Sequence, residues 1–72
     1  MKTANNISIK VGKRLSELRL SKKITQEKLA LDAGLNRAYI GYIERGERNP
    51  SIETMARIAK ALKIELYILF KF

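Results

Sequence analysis

Residues 25–46, Thr25-Gln26-Glu27-Lys28-Leu29-Ala30-Leu31-Asp32-Ala33-Gly34-Leu35-Asn36-Arg37-Ala38-Tyr39-Ile40-Gly41-Tyr42-Ile43-Glu44-Arg45-Gly46, decide the fold. Thr25 suits an N-cap, where a side-chain oxygen accepts one of the backbone N–H groups that a helix start leaves unpaired. The helix it opens has Leu29, Ala30 and Ala33 as its inner face. Its third residue is Lys28, so the reciprocal Glu or Gln of a capping box is missing. Gly34 ends that helix, at a position where glycine takes a positive φ at little cost. Asn36 can cap a next helix running to about Arg45, and Gly46 closes it in the same way. Two short helices joined by a tight glycine-led turn form a helix-turn-helix. Ala30 must be small where the second of these helices crosses the first, and Ile40 and Ile43 anchor that second helix to the core.

The rest of the chain supplies support on both sides. Val11, Leu15 and Leu18 recur at i, i+4 and i+7, the spacing of an amphipathic helix that stops near Lys22. Beyond Gly46, the run Glu47-Arg48-Asn49-Pro50 reads as a loop. Ser51 then caps a fourth helix with Ile52, Met55, Ala59 and Leu62 on one face. Residues 65–70 read as a short fifth helix, although Ile64, Leu66, Ile68 and Phe70 also alternate as a strand would. Residues 1–6 read as loose. No repeat, linker or low-complexity tract interrupts residues 1–72. The expectation is a single all-α domain, a compact five-helix bundle built around the helix-turn-helix at residues 25–45.

Composition narrows the chemistry. Among 72 residues there is no cysteine and no histidine, which removes disulfides, thiolate nucleophiles, Cys/His zinc sites and His-dependent triads. Glu44 and Glu47 flank a loop with no nucleophile beside them, so no enzyme, metal or cofactor is expected. Fifteen Lys and Arg against seven acids give a formal net charge of +8. A domain this basic favours a polyanionic partner, nucleic acid before an anionic membrane surface. Residues 1–23 hold seven of the bases and one acid, while residues 24–50 balance four against four. The N-terminal bases Lys10, Lys13 and Arg14 read either as phosphate contacts or as a solvated face. Residues 64–72 are far too few to span a bilayer, and the start lacks the apolar core of a signal peptide. A cytoplasmic protein is therefore expected.

At 100° per residue, Ile40 and Ile43 point one way and Arg37, Ala38, Gly41, Tyr42 and Arg45 roughly the other, with Tyr39 at the edge. Such an outward face fits a DNA major groove, which is wide enough to admit an α-helix. Arg37 stands in the first turn, where it can pair bidentately with guanine, and Ala38 can touch a thymine methyl.

Thr25-Gln26-Glu27-Lys28-Leu29-Ala30, Gly34, Tyr39-Ile40-Gly41-Tyr42-Ile43-Glu44-Arg45-Gly46 and Asn49-Pro50-Ser51 together resemble the Cro/repressor-type (XRE) family of helix-turn-helix regulators. The likeness covers about residues 9 to 70. Asn36-Arg37-Ala38-Tyr39-Ile40 followed by Ile43-Glu44-Arg45 looks most like the small controller proteins of restriction–modification systems. The resemblance implies that Arg37, Ala38 and Tyr39 face bases. It implies phosphate contacts from Gln26, Asn36, Tyr42, Arg45, Arg48 and Asn49, and an internal salt bridge between Arg19 and Glu44. Rival readings put Tyr39 at the core edge and make Arg48 and Asn49 ordinary loop residues. Gly41 departs from the pattern, because relatives often carry a longer polar side chain there. The glycine costs roughly 1 kcal/mol of helix propensity.

From Ile64 to Phe72, seven of nine residues are apolar or aromatic. A bundle this small cannot bury them all, so Leu66, Tyr67, Leu69, Phe70 and Phe72 are expected to form a symmetric dimer interface. The expectation is a homodimeric, sequence-specific regulator of transcription on double-stranded DNA with a pseudo-palindromic operator. The alternative is an antitoxin-like helix-turn-helix protein whose main role is to bind a partner. Which protein partner the chain meets, RNA polymerase or a toxin, is not settled by the sequence.

Overall fold

Caps and glycines close the helices where they stand in the sequence. The computed structural model describes residues 3–72. In it α1 spans Thr3–Ser21, α2 Gln26–Ala33, α3 Arg37–Glu44 and α4 Ile52–Leu62, and a short 3-10 helix covers Leu66–Phe70. The Thr25 hydroxyl accepts from the Lys28 N–H at 3.0 Å, Asn36 Oδ1 from the Ala38 N–H at 2.7 Å, and Ser51 Oγ from the Thr54 N–H at 3.1 Å. Gly34 turns the chain off α2 at φ +70°, and the Leu35 N–H reaches back to the Ala30 carbonyl at 2.8 Å. The other two helix ends carry no glycine: Lys23 after α1 and Lys63 after α4 take φ of +58° and +60°. That left-handed conformation costs a non-glycine residue roughly 1–2 kcal/mol, so tertiary packing must hold it.

Helix α3 lies between α1 and α2, and α4 covers the far side of α2. Leu15, Leu29, Ile40, Ile43, Ile58, Leu62 and Leu69 are each less than 2% exposed and form the centre of the core. The inner face of α4 is Met55, Ile58, Ala59 and Leu62, at i, i+3, i+4 and i+7. Ile52, assigned to that face by its spacing, is 65% exposed. It stands in the first turn, before the helix meets the core.

Two expectations change at the chain ends, and one is refined. Helix α1 begins at Thr3, inside the stretch read as loose, while residues 1 and 2 lie outside the described residues. The expected short fifth helix is present, as one and a half turns of 3-10 helix, and no strand occurs among the described residues. At its end the Ile68 carbonyl accepts twice. Arg14 Nε donates to it at 3.0 Å and the Lys71 N–H at 3.2 Å, where an α-helix would need it for residue 72. Leu69, expected at a dimer interface, is fully buried in its own protomer and pins the segment to α1 and α4. Leu66 also packs partly against this core. Tyr67, Phe70 and Phe72 stay exposed.

One close helix contact, at Gly12, has no counterpart in the sequence reading. A Cβ built on Gly12 would fall on the carbonyl oxygens of Ile43 and Glu44, the latter at 2.7 Å. Both opposing atoms are backbone, so α1 and α3 cross at a distance that only glycine allows. Gly12→Ala is expected to cost at least 1–3 kcal/mol, the usual range for overpacking, despite alanine's better helix propensity. A lowered urea midpoint with an unchanged m-value would check it.

Candidate nucleic-acid interface

The face of α3 is aimed by a buried ion pair. Arg19 follows Leu15 by one turn and so shares the inward face of α1. Its Nε and Nη2 donate to the two carboxylate oxygens of Glu44 at 2.6 and 3.1 Å, and its Nη1 to the Ile24 carbonyl at 2.7 Å. The two side chains are only 11% and 7% exposed. Glu44 closes the last turn of α3, the negative end of the helix dipole, where a carboxylate is unfavourable without a cation. Gln26 Nε2 adds a third donor to the same carboxylate at 2.9 Å. One carboxylate thus ties together the end of α1, the start of α2 and the end of α3. No buried side-chain polar atom among the described residues is left without a partner.

With Ile40 and Ile43 sunk in the core, α3 turns Arg37, Ala38, Tyr42 and Arg45 to the outside. Arg37 makes no side-chain hydrogen bond or ion pair among the described residues, so its guanidinium is available whole. Asn36 spends its Oδ1 on the cap, leaving its amide N–H groups for another partner. Tyr39 is half-buried, packed against the edge of the core. At the far end of the helix the Arg45 and Arg48 guanidinium carbons stand 5.2 and 4.8 Å from the Tyr42 ring centroid, a cation–π cluster. Arg45 Nε also pairs with Glu47 Oε2 at 3.2 Å. Asn49 is exposed, but its Oδ1 accepts from the Ser8 hydroxyl and so joins the loop to α1.

The structure therefore gathers Gln26, Tyr42, Arg45 and Arg48 near the end of α3, and sets Asn36, Arg37 and Ala38 at its start. Two of the N-terminal bases make contacts within the chain. Arg14 holds the Ile68 carbonyl, and Lys10 Nζ lies 5.9 Å over the Phe72 ring. Sequence reasoning missed two features. Gly41, read as a bare outward residue, is buried: the three atoms nearest its missing Cβ are all of the Arg45 guanidinium, beginning at 3.1 Å. Ile7 and Ile52 are exposed beside Phe70, around a notch of about 140 Å³. The glycine at position 41 was itself the signal for the first, since a long side chain at i+4 can lie across it. Ile52 was hidden by its fit to the helical period.

A Helix-turn-helix family model (HTH_3) matches residues 15–69. The chain belongs to this family. It is 45% identical over 62 residues to Control protein C.BamHI of Bacillus amyloliquefaciens, spanning 85% of this chain and 76% of that protein. It is similar to the crystal structure of the restriction–modification controller protein C.AhdI from Aeromonas hydrophila, with 48% identity and a TM-score of 0.86 over 88% of this chain and 96% of that one. It is also similar to C.Esp1396I in a complex with a 25 base pair operator site, at 37% identity and a TM-score of 0.82 over 90% of this chain and 86% of that one. The chain is thus a helix-turn-helix regulator of the controller-protein type, as the motif at residues 25–46 and Asn49-Pro50-Ser51 implied. Among the described residues no helix is long and apolar enough to cross a membrane, and no group of acidic side chains is placed to hold a metal ion.

The buried pair has a measurable signature. Arg19→Met should cost about 3–5 kcal/mol, because it strands the Glu44 carboxylate. The double variant Arg19→Met, Glu44→Met should recover most of that loss, since it removes both charges together. Chemical denaturation of the two variants checks the difference.

Proposed function

We propose that this chain is a sequence-specific regulator of transcription that binds double-stranded operator DNA as a homodimer, with α3 in the major groove. The observation that carries the reading is the outward face of α3, fixed by a buried ion pair and led by an unpaired Arg37 beside the small Ala38. That arrangement lets the helix approach the groove floor with one forked donor at its front. Arg37 then supplies direct readout of a guanine, and Ala38 an apolar contact to a neighbouring thymine. Gln26, Asn36, Tyr42, Arg48 and Asn49 are the candidate backbone contacts, which position the helix without specifying sequence. For Gln26 the contact would be made by whatever donor capacity Glu44 leaves and by the open N–H groups at the start of α2. C.Esp1396I, a relative of similar fold, binds an operator, and this supports the same role here.

The dimer interface is the exposed apolar surface of the C-terminal segment: Tyr67, Phe70 and Phe72, with Ile7 and Ile52 continuing it across the notch. Leu69 contributes from below, by fixing the segment to the core. A two-fold dimer would hold paired α3 helices about one turn of DNA, roughly 34 Å, apart on a pseudo-palindromic operator.

Three experiments test the reading. Affinity for operator should fall linearly with salt on logarithmic axes between about 50 and 200 mM, each neutralised phosphate adding about 0.9 to the slope. Arg37→Ala should flatten preference at one base pair per half-site by about 1–3 kcal/mol, whereas Arg48→Ala should weaken all sequences alike and lower the slope by about 1. A uniform loss from Arg37→Ala would remove it from the reading face. Separately, Phe70→Lys should leave the thermal midpoint nearly unchanged and yield a monomer by sedimentation. A variant that remains dimeric would place the interface elsewhere.

A further inference from the structure

Arg37, Gly41 and Arg45 form one stripe along α3, spaced i, i+4 and i+8, so their side chains follow one another along the groove-facing side. The middle member has no side chain. Side chains on a helix lean toward its N-terminus, and Arg45 uses that lean to lie across the gap. Its Nη1 sits 3.1 Å from where a Gly41 Cβ would be, with Cζ and Nη2 both at 3.9 Å. The guanidinium is thereby displaced one turn, roughly 6 Å, back toward Arg37. It covers Gly41 well enough to bury it.

Two contacts hold it there. The Tyr42 ring lies 5.2 Å from the guanidinium carbon, and Glu47 Oε2 takes Nε at 3.2 Å. Gly41 offers nothing to push it away. Because Glu47 occupies Nε, the two terminal nitrogens are left as the free end of the fork. That end matches the paired N7 and O6 acceptors of guanine.

We infer that Arg45 is a base-reading residue rather than a phosphate contact: folded over Gly41, it reads a guanine next to the site of Arg37, with Tyr42 and Glu47 as positioning residues. The inference rests on the reading above that α3 enters the major groove. It also explains the departure at position 41. The reading side chain for the centre of the face comes from one turn further on, and a long side chain at position 41 would compete for the space it fills.

The test is operator selection from a randomised duplex by the full chain and four variants, with thermal denaturation to confirm folding. Arg45→Lys keeps the charge but not the fork, so the salt slope should persist while guanine preference at one base pair per half-site falls by roughly 5- to 150-fold. Gly41→Gln, at an exposed helical position once Arg45 is lifted, should lose guanine preference at that same base pair. Tyr42→Leu should broaden the preference there, and Tyr42→Phe, which keeps the ring, should restore it. The inference is overturned if Arg45→Lys retains the guanine preference, or if Arg45→Lys and Gly41→Gln lose preference at different base pairs. It is equally overturned if Tyr42→Leu matches the parent protein. Failure of the parent chain to enrich any motif would instead count against major-groove reading as a whole, before any variant is compared.

Discussion

The Arg19–Glu44 pair is the constraint on which the rest depends. It lies where three helices meet, is nearly closed to solvent, and uses all three nitrogens of the guanidinium. Hydrophobic burial holds α3 in place but has no direction, so it does not by itself set the rotation of a short helix about its axis. A bidentate pair does, because two parallel hydrogen bonds fix both distance and plane. Gly12 acts on the same contact from α1, letting the backbones approach until the end of α3 rests on it. Both devices act at the last turn of α3. The helix is therefore held at its rear, with Arg37 free at its front.

Charge in this molecule divides into two kinds. Arg14, Arg19 and Arg57 are structural: each donates to a carbonyl or carboxylate that closes a helix end or a contact between segments. Arg57 does so at the end of α2, through the Ala33 and Gly34 carbonyls at 3.1 and 2.7 Å. Arg37 is unpaired, and Arg45 and Arg48 rest against Tyr42 on the exposed side. The structural arginines still contribute to the long-range field, which depends on charge and not on partners. In the proposed reading, short-range contact with a partner falls to the residues of α3 and the loop after it. A count of bases along the chain points to the N-terminal segment, whereas the cations left on the exposed side of α3 lie within residues 37–48.

The C-terminal segment shows a similar division within five residues. Leu69 belongs to the core, while Tyr67 and Phe70 face outward. The 3-10 form makes this possible, since three residues per turn send positions 67 and 70 to one side and 66 and 69 to the other. The Arg14 donation to the Ile68 carbonyl ties the segment to α1. An apolar run read as one block is thus an anchor on one side and an open surface on the other.

The amino-acid sequence by itself determined the helices, their order and the family. Thr25, Asn36 and Ser51 cap where they stand, Gly34 and Gly46 turn where they stand, and the spacing of Leu29, Ala30, Ile40 and Ile43 marks the buried face. These are local signals, each settled within one or two turns of chain, so they can be read in a row of letters. The direction of Arg37 followed from the same period. Only the tertiary structure decided the closeness of α1 to α3 at Gly12, the burial of Leu69, the exposure of Ile52, and the left-handed turns at Lys23 and Lys63. It alone placed Arg45 over Gly41. Each of these depends on atoms brought together by packing, or on where a helix first meets its neighbours. Periodicity says which way a side chain leaves the helix, but not what it meets when it arrives.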